Sequence, residues 1–265
     1  MRCCSAQIVG VWESPEQTLE NAEQVFYDAA RAGAALVAFP EQFATGWDPA
    51  SNKNCEELTG ATVTGLRRLA EKYSIAVVGS FREAFTPKPR NTSIAIGSNG
   101  EILTTYSKIH LFTPGYENTA FTPGTGLATF TAGEINFGLA ICYDLRFPEI
   151  FRLYRRKGVH AVIVPAAWPE SRLRYWELFI QSRAAENQMY IAGVNTTGTN
   201  PVDRYAGASM TADPNGNIIA RAGKGNELLY YEINPLVAEA ARHDFPVEND
   251  RNDMLYASLM REKEN

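Results

Sequence analysis

The sequence predicts an α/β fold, and three observations carry that reading. Strand-like and helix-like runs alternate over the first eighty residues, paired strands joined by tight turns follow from residue 91, and helices return between further strands in the second half. Alternation of this kind gives a largely parallel sheet, whereas the short-turn pairs add antiparallel strands at its margins.

The elements follow in order. Residues 4–11 are apolar and strand-like. Ser14 then stands before Pro15, with Gln17 at capping-box spacing, and Leu19, Ala22, Phe26, Ala29 and Ala30 share one helical face until Gly33 ends the pattern. Residues 35–39 read as a buried strand. A second helix covers 59–73, where Leu66, Leu69, Ala70 and Tyr73 recur at helical spacing, and a strand covers 75–79. The runs 93–96 and 102–106 pair around Ser98-Asn99-Gly100, and 127–131 pairs with 135–141 around Ala132-Gly133-Glu134. A helix over 148–157 stops at Gly158, a strand covers 161–164, and a longer helix covers 173–187. Further strands are expected at 190–194, 206–211, 218–220 and 228–233, with Asp213-Pro214-Asn215-Gly216 as a strong turn. No linker or internal repeat divides the chain, so residues 1–265 are expected to form one domain, with 246–265 a charged tail that is frayed or docked on a second subunit.

Composition narrows the function. The 265 residues carry 25 Lys and Arg against 30 Asp and Glu, a formal charge of −5, without a basic run. Phosphate binding needs clustered positive charge, so neither a nucleic-acid nor an anionic-membrane partner is expected. No apolar run approaches the length of a membrane span, and the N-terminus lacks signal-peptide character. Cys3, Cys4, Cys55 and Cys142 have neither metal-ligand spacing nor the density of a disulfide framework. The expected location is cytoplasmic, with no metal and no cofactor.

Cys142 is the most informative position. It ends the apolar run Phe137-Gly138-Leu139-Ala140-Ile141 and opens the polar stretch Tyr143-Asp144-Leu145-Arg146 just before a helix. A cysteine at such a bend can present its sulfur at the sheet edge, with the following N–H facing an oxyanion; it can equally be a packing residue. A thiol nucleophile needs a proton acceptor. His110, His160 and His243 each have a bland role open to them, which leaves Glu41 and Lys108, both directly after apolar runs. Each alone could be a solvated loop charge, but strand ends in α/β sheets are where sites assemble.

Phe39-Pro40-Glu41, Tyr106-Ser107-Lys108-Ile109-His110-Leu111-Phe112 and Ile141-Cys142-Tyr143-Asp144-Leu145-Arg146-Phe147-Pro148-Glu149 resemble, in order and spacing, the three signature blocks of the nitrilase superfamily of carbon–nitrogen hydrolases. The resemblance covers nearly the whole chain. It implies a four-layer αββα sandwich that dimerises through helices, and a Glu-Lys-Cys set in which Cys142 is the nucleophile, Glu41 the general base and acid, and Lys108 the stabiliser of the tetrahedral intermediate. Glu117 matches the second glutamate of many members. The oxyanion would meet Lys108 and the Tyr143 N–H.

Within the superfamily, Cys142-Tyr143-Asp144-Leu145-Arg146-Phe147-Pro148-Glu149 resembles amidase rather than true nitrilase branches, and the combination of Phe43-Ala44-Thr45-Gly46-Trp47, the short Glu117 loop and Ala166-Ala167-Trp168-Pro169 is most similar to the bacterial ω-amidases of 2-oxo acid amides. That likeness implies a small-molecule amide as the partner, with Arg146 pairing its distal carboxylate or, alternatively, an acid such as Glu149. Trp168 and Phe43 are expected to wall the pocket. Hydrolysis of N-carbamoyl amines or simple aliphatic amides, and a catalytically idle dimeric scaffold, are the competing readings.

Overall fold

The computed structural model describes residues 1–261. Two six-stranded sheets face each other. The first contains β1 (Arg2–Gln7), β2 (Leu36–Ala38), β3 (Ala76–Glu83), β4 (Arg90–Ile96), β5 (Ile102–Ser107) and, from the far end of the chain, β14 (Glu227–Glu232), in the order β14-β1-β2-β3-β4-β5. The second contains β6 (Thr129–Ala132), β7 (Ile135–Leu139), β8 (Ala161–Ala166), β9 (Tyr190–Asn195), β12 (Met210–Ala212) and β13 (Ile218–Arg221), in the order β13-β12-β9-β8-β7-β6. In each sheet three parallel strands, β1-β2-β3 or β7-β8-β9, are flanked by one antiparallel strand on one side and two on the other. The two sheets therefore share one topology, although the sequence carries no visible repeat.

Strand alternation sorts the core into layers, because successive side chains point to opposite faces. Cys3, Leu36, Ala38, Ala76 and Val78 face the second sheet, whereas Cys4, Val37 and Val77 face α1 (Pro15–Arg31) and α2 (Ala61–Tyr73) through Phe26 and Leu66. On the opposite outer face, α4 (Pro148–Arg156) and α5 (Leu173–Asn187) bury Phe151, Tyr154, Trp176 and Ile180 against the second sheet. The result is the four-layer αββα sandwich. Among the described residues no helix is long and apolar enough to cross a membrane.

Most expected elements are present within a few residues of their expected ends. One is not. The run 206–211, expected as a single strand, breaks at Gly207 and Ala208, both at positive φ. A Cβ on Gly207 would lie 2.4 Å from Nε2 of Gln7, so only glycine admits this close passage. The break separates β11 (Arg204–Ala206), which pairs with β10 (Thr197–Thr199) in a two-stranded ribbon, from β12 in the second sheet. In the tail, α6 (Pro235–Asp244) is followed by α7 (Asp253–Arg261), a helix with no buried residue that is tied to α4 through Arg156 and Asp253. The expected tail ran to residue 265, and residues 262–265 lie outside the described chain.

Candidate active site

The site forms where the two sheets meet at the C-terminal ends of β2, β7 and β8, the edge at which open α/β sheets gather polar groups. Glu41 follows β2 through Phe39 and Pro40. Its carboxylate oxygen Oε2 accepts the N–H of Ala167, just past β8, at 2.9 Å, so this one side chain joins the two sheets. Lys108 follows β5 and donates from Nζ to Glu41 Oε1 and to Glu117 Oε2, each at 2.8 Å. Glu117 opens the short helix α3 (Glu117–Ala120), where a left-handed residue, Tyr116, turns the chain back toward the sheet. Its Oε2 also accepts the Phe112 N–H at 2.7 Å. All three charged side chains are at most 2% exposed.

Asn91, on β4, completes the cluster. Its amide nitrogen donates to Glu41 Oε1 at 2.7 Å and to Glu117 Oε1 at 2.9 Å, which brings two carboxylates to one neutral donor. The ion count is two carboxylates and one ammonium. Burial alone would lower the Lys108 pKa, but Glu117 and Glu41 outweigh it and raise the value, so the side chain stays charged. Burial likewise opposes ionisation of Glu117, and Lys108, Asn91 and the Phe112 N–H overcome it, holding the carboxyl below its ordinary range.

Cys142 stands at the bend after β7, in the left-handed region at φ 45°, a strained conformation for a residue with a Cβ. Asp144 holds the bend in place. Its carboxylate accepts the Ile141 N–H at 2.9 Å, the Tyr106 hydroxyl at 2.8 Å and the His110 N–H at 3.0 Å, and it lies 2.8 Å from His110 Nδ1. Tyr143 follows in the first turn of the 3-10 helix Cys142–Arg146, where an N–H has no intrahelical acceptor and is available to a ligand oxygen. Burial and the neighbouring Glu41 carboxylate push the Cys142 thiol well above its usual range, against the opposing pull of Lys108 and the Ala167 N–H. Burial also raises Cys3 and Cys4 to about 12, and raises the half-buried Cys55. Cys142 is thus set apart by the carboxylate beside it and not by an acidic thiol.

A cavity of about 40 Å³ opens above Cys142, and Trp47, Lys108, Tyr143, Arg146 and Trp168 are among the residues that line it. The expected residues Glu41, Lys108, Glu117, Cys142 and Tyr143 come together here, with Arg146 and Trp168 on the wall. Arg146 makes no ion pair with Glu149 or any other acid among the described residues; its guanidinium lies 5.5 Å from the Trp168 ring and 5.1 Å from that of Phe179. Phe43 is a correction. Gln42 takes a left-handed turn at φ 47°, which sends Phe43 into the core under α1 and α2, where it stacks on Phe39 at 4.6 Å instead of walling the pocket. Asn91, Arg172 and Tyr205 escaped sequence reasoning, and Trp47 entered it only as part of a motif. Asn91 left no distinguishing signal, because it stands beside Arg90, Thr92 and Ser93 in the polar first half of β4. Among the described residues no group of three or more His, Cys, Asp and Glu side chains could hold a metal ion.

A thiol held against a buried carboxylate and an ammonium, with His110 engaged by Asp144 instead, is the equipment of a cysteine hydrolase that works without histidine. The chain belongs to the carbon-nitrogen hydrolase family, whose pattern it matches over residues 2–243. It is 30% identical to the 2-oxoglutaramate amidase of Bacillus subtilis over 244 residues, covering 91% of this chain and 94% of that one. It is 31% identical to the omega-amidase NIT2 of Homo sapiens, covering 88% and 89%. Among solved structures it superposes with a TM-score of 0.87, at 25% identity over 98% of this chain and 99% of the other, on a glutamate-to-glutamine variant of the amidase from Nesterenkonia sp. AN1, in which acrylamide has added to the active site cysteine. The protein is a hydrolase of carbon–nitrogen bonds.

Proposed function

We propose that the chain is an ω-amidase: it hydrolyses the terminal amide of a small carboxylic acid of the 2-oxoglutaramate type to the acid and ammonia. The observation that carries the reading is Lys108 clamped between Glu41 and Glu117 beside Cys142, below a pocket that presents Arg146. The similarity to amidases of 2-oxoglutaramate supports the substrate class. Glu41 takes the thiol proton as Cys142 attacks the amide carbonyl. The tetrahedral oxyanion is met by Lys108 Nζ and the Tyr143 N–H. Glu41 then gives the proton to the departing nitrogen, ammonia leaves, and a thioester remains. Water attacks that thioester while Glu41 removes its proton, and the returning proton restores the thiol as the carboxylic acid is released. Glu117 keeps Lys108 ionised and aimed at the oxyanion. Arg146 pairs with the carboxylate at the far end of the substrate, and Trp168 walls the acyl chain.

Ammonia release from 2-oxoglutaramate, compared with simple aliphatic amides, tests the substrate class, and the same assay on Cys142→Ala tests the nucleophile. Equal rates on all amides overturn the first, and retained turnover in the variant overturns the second. Release of carbon dioxide together with ammonia from N-carbamoyl amines would move the reading to that reaction. One catalytic domain spanning the chain, a cytoplasmic location and a homodimer belong to the same proposal. Four free thiols fit a reducing compartment. The exposed apolar residues Leu153 and Leu178 on α4 and α5, and Met254, Leu259 and Met260 on α7, fit a subunit interface. Sedimentation as a monomer at micromolar concentration overturns the dimer.

A further inference from the structure

Arg172 lines the same cavity as Arg146 and, like it, pairs with no acid among the described residues. It ends the 3-10 turn Glu170–Arg172, and its position is set from two sides. Its carbonyl accepts the indole N–H of Trp168 at 2.8 Å, and Glu170 pairs with Arg204 of β11 at 2.9 Å. Its guanidinium lies 5.1 Å from the centre of the Phe112 ring, with no side-chain hydrogen bond or ion pair among the described residues. A half-buried guanidinium without a counter-charge favours an incoming anion. One more donor points to the same conclusion: the indole nitrogen of Trp47, which lines the cavity, is buried and has no hydrogen-bond partner among the described residues. Leaving such a donor buried and unpaired is unfavourable, and an acceptor atom of a ligand relieves it.

Charge is also graded along the cavity. At its floor Lys108 is backed by its two partners Glu41 and Glu117, one net negative charge in all; its wall holds Arg146, Arg172 and Asp203, one net positive charge. A monoanionic ligand is repelled at the floor and attracted at the wall, so its neutral end is the one that reaches Cys142. We propose that Arg172 is a specificity-determining residue that holds the carboxylate of the substrate together with Arg146, and that this polarity makes the pocket selective for the ω-amide of a short acid. The proposal rests on the amidase reading above.

The experiment compares kcat/KM for succinamate, an ω-amide with a distal carboxylate, and butanamide, its neutral counterpart, in wild type, Arg172→Gln and Arg172→Lys. The expected result is a succinamate-over-butanamide ratio that falls by about 10- to 100-fold in Arg172→Gln, with partial recovery in Arg172→Lys, which keeps the charge and loses the fork. A ratio unchanged within about twofold, or equal loss on both amides, assigns Arg172 to structure and overturns the proposal while the amidase reading stands. If wild type hydrolyses neither amide, the amidase reading falls, and shielding of Cys142 from iodoacetamide by succinamate decides the subsite instead. Shielding present in wild type and lost in Arg172→Gln supports it; shielding equal in both, or absent from wild type, overturns it.

Discussion

Glu117 Oε2 lies 2.8 Å from Lys108 Nζ, on a side chain that water does not reach. Glu41 lies at the same distance from the same nitrogen, so the cluster holds one more carboxylate than ammonium. Its net charge of −1 decides which substitutions the fold tolerates. Removing a carboxylate balances the cluster, whereas removing the ammonium leaves two like charges buried together.

Glu117→Gln is therefore expected to fold, and to lose turnover. A balanced Glu41–Lys108 pair remains, but Lys108 is drawn onto Glu41 alone and away from the oxyanion, so kcat should fall about 100- to 1,000-fold, the range for a lost oxyanion contact. The variant should also flatten the acid limb of stability. Glu117 has a folded pKa below its ordinary 4.5, so its contribution is present above that pH and lost as pH falls through the folded value. Melting temperatures between pH 3 and 7 check this: the wild-type value should drop more steeply below 4.5 than that of the variant.

Lys108→Met should reverse the sign. Asn91 then faces two carboxylates with no cation, and one carboxyl must keep its proton. An acid whose folded pKa is raised contributes stability below its unfolded pKa that is lost as pH rises through the folded one. The variant should be most stable near pH 4–5, and about 3–5 kcal/mol less stable than wild type at pH 7, read by urea denaturation at both pH values. Equal loss at both would count against the buried pair.

The three residues at the centre of the site were legible because each is a polar break directly after an apolar run. Glu41, Lys108 and Cys142 sit at strand ends, and strand ends gather at one edge of the fold. What escaped reading lies in backbone turns and in long-range packing. Gln42, at φ 47°, diverts Phe43 from the pocket, and glutamine carries no marker for a left-handed turn. Gly207 and Ala208 interrupt an alternation that otherwise continues through Thr211. Arg172 and Tyr205 reach the pocket from segments whose residues look like ordinary surface positions, and only the ribbon of β10 and β11 and its Arg204–Glu170 pair bring them over it. The shared topology of the two sheets is a property of strand order, which side-chain identities do not record.

Asp144→Asn should loosen the Cys142 bend. The carboxylate receives the Ile141 N–H, the Tyr106 hydroxyl and two His110 nitrogens; an amide offers one acceptor oxygen and turns a donor toward the rest. At least one buried donor loses its partner, at about 1–3 kcal/mol, while the strain at Cys142 persists. A lowered denaturation midpoint together with reduced kcat is expected, and an unchanged midpoint would remove Asp144 from this role.

Glu41→Gln separates the proton acceptor from the nucleophile. Turnover should fall by about 100- to 10,000-fold at pH 7, the usual worth of a positioned general base, because no neighbouring group can take the thiol proton or deliver it to the leaving nitrogen. The thiol itself should become easier to ionise. Burial still raises its pKa, but the Glu41 charge that adds to that effect is gone, while Lys108 and the Ala167 N–H continue to favour the thiolate. Alkylation of Cys142 by iodoacetamide should therefore survive in the variant and climb with pH by about tenfold per unit, as thiolate chemistry requires below the pKa. Mass spectrometry of the labelled cysteine across pH 6–9, alongside ammonia release, reads both quantities on one sample. Turnover near the wild-type level would show that the proton goes elsewhere, and a pH-independent labelling rate would show that a second base reaches the thiol.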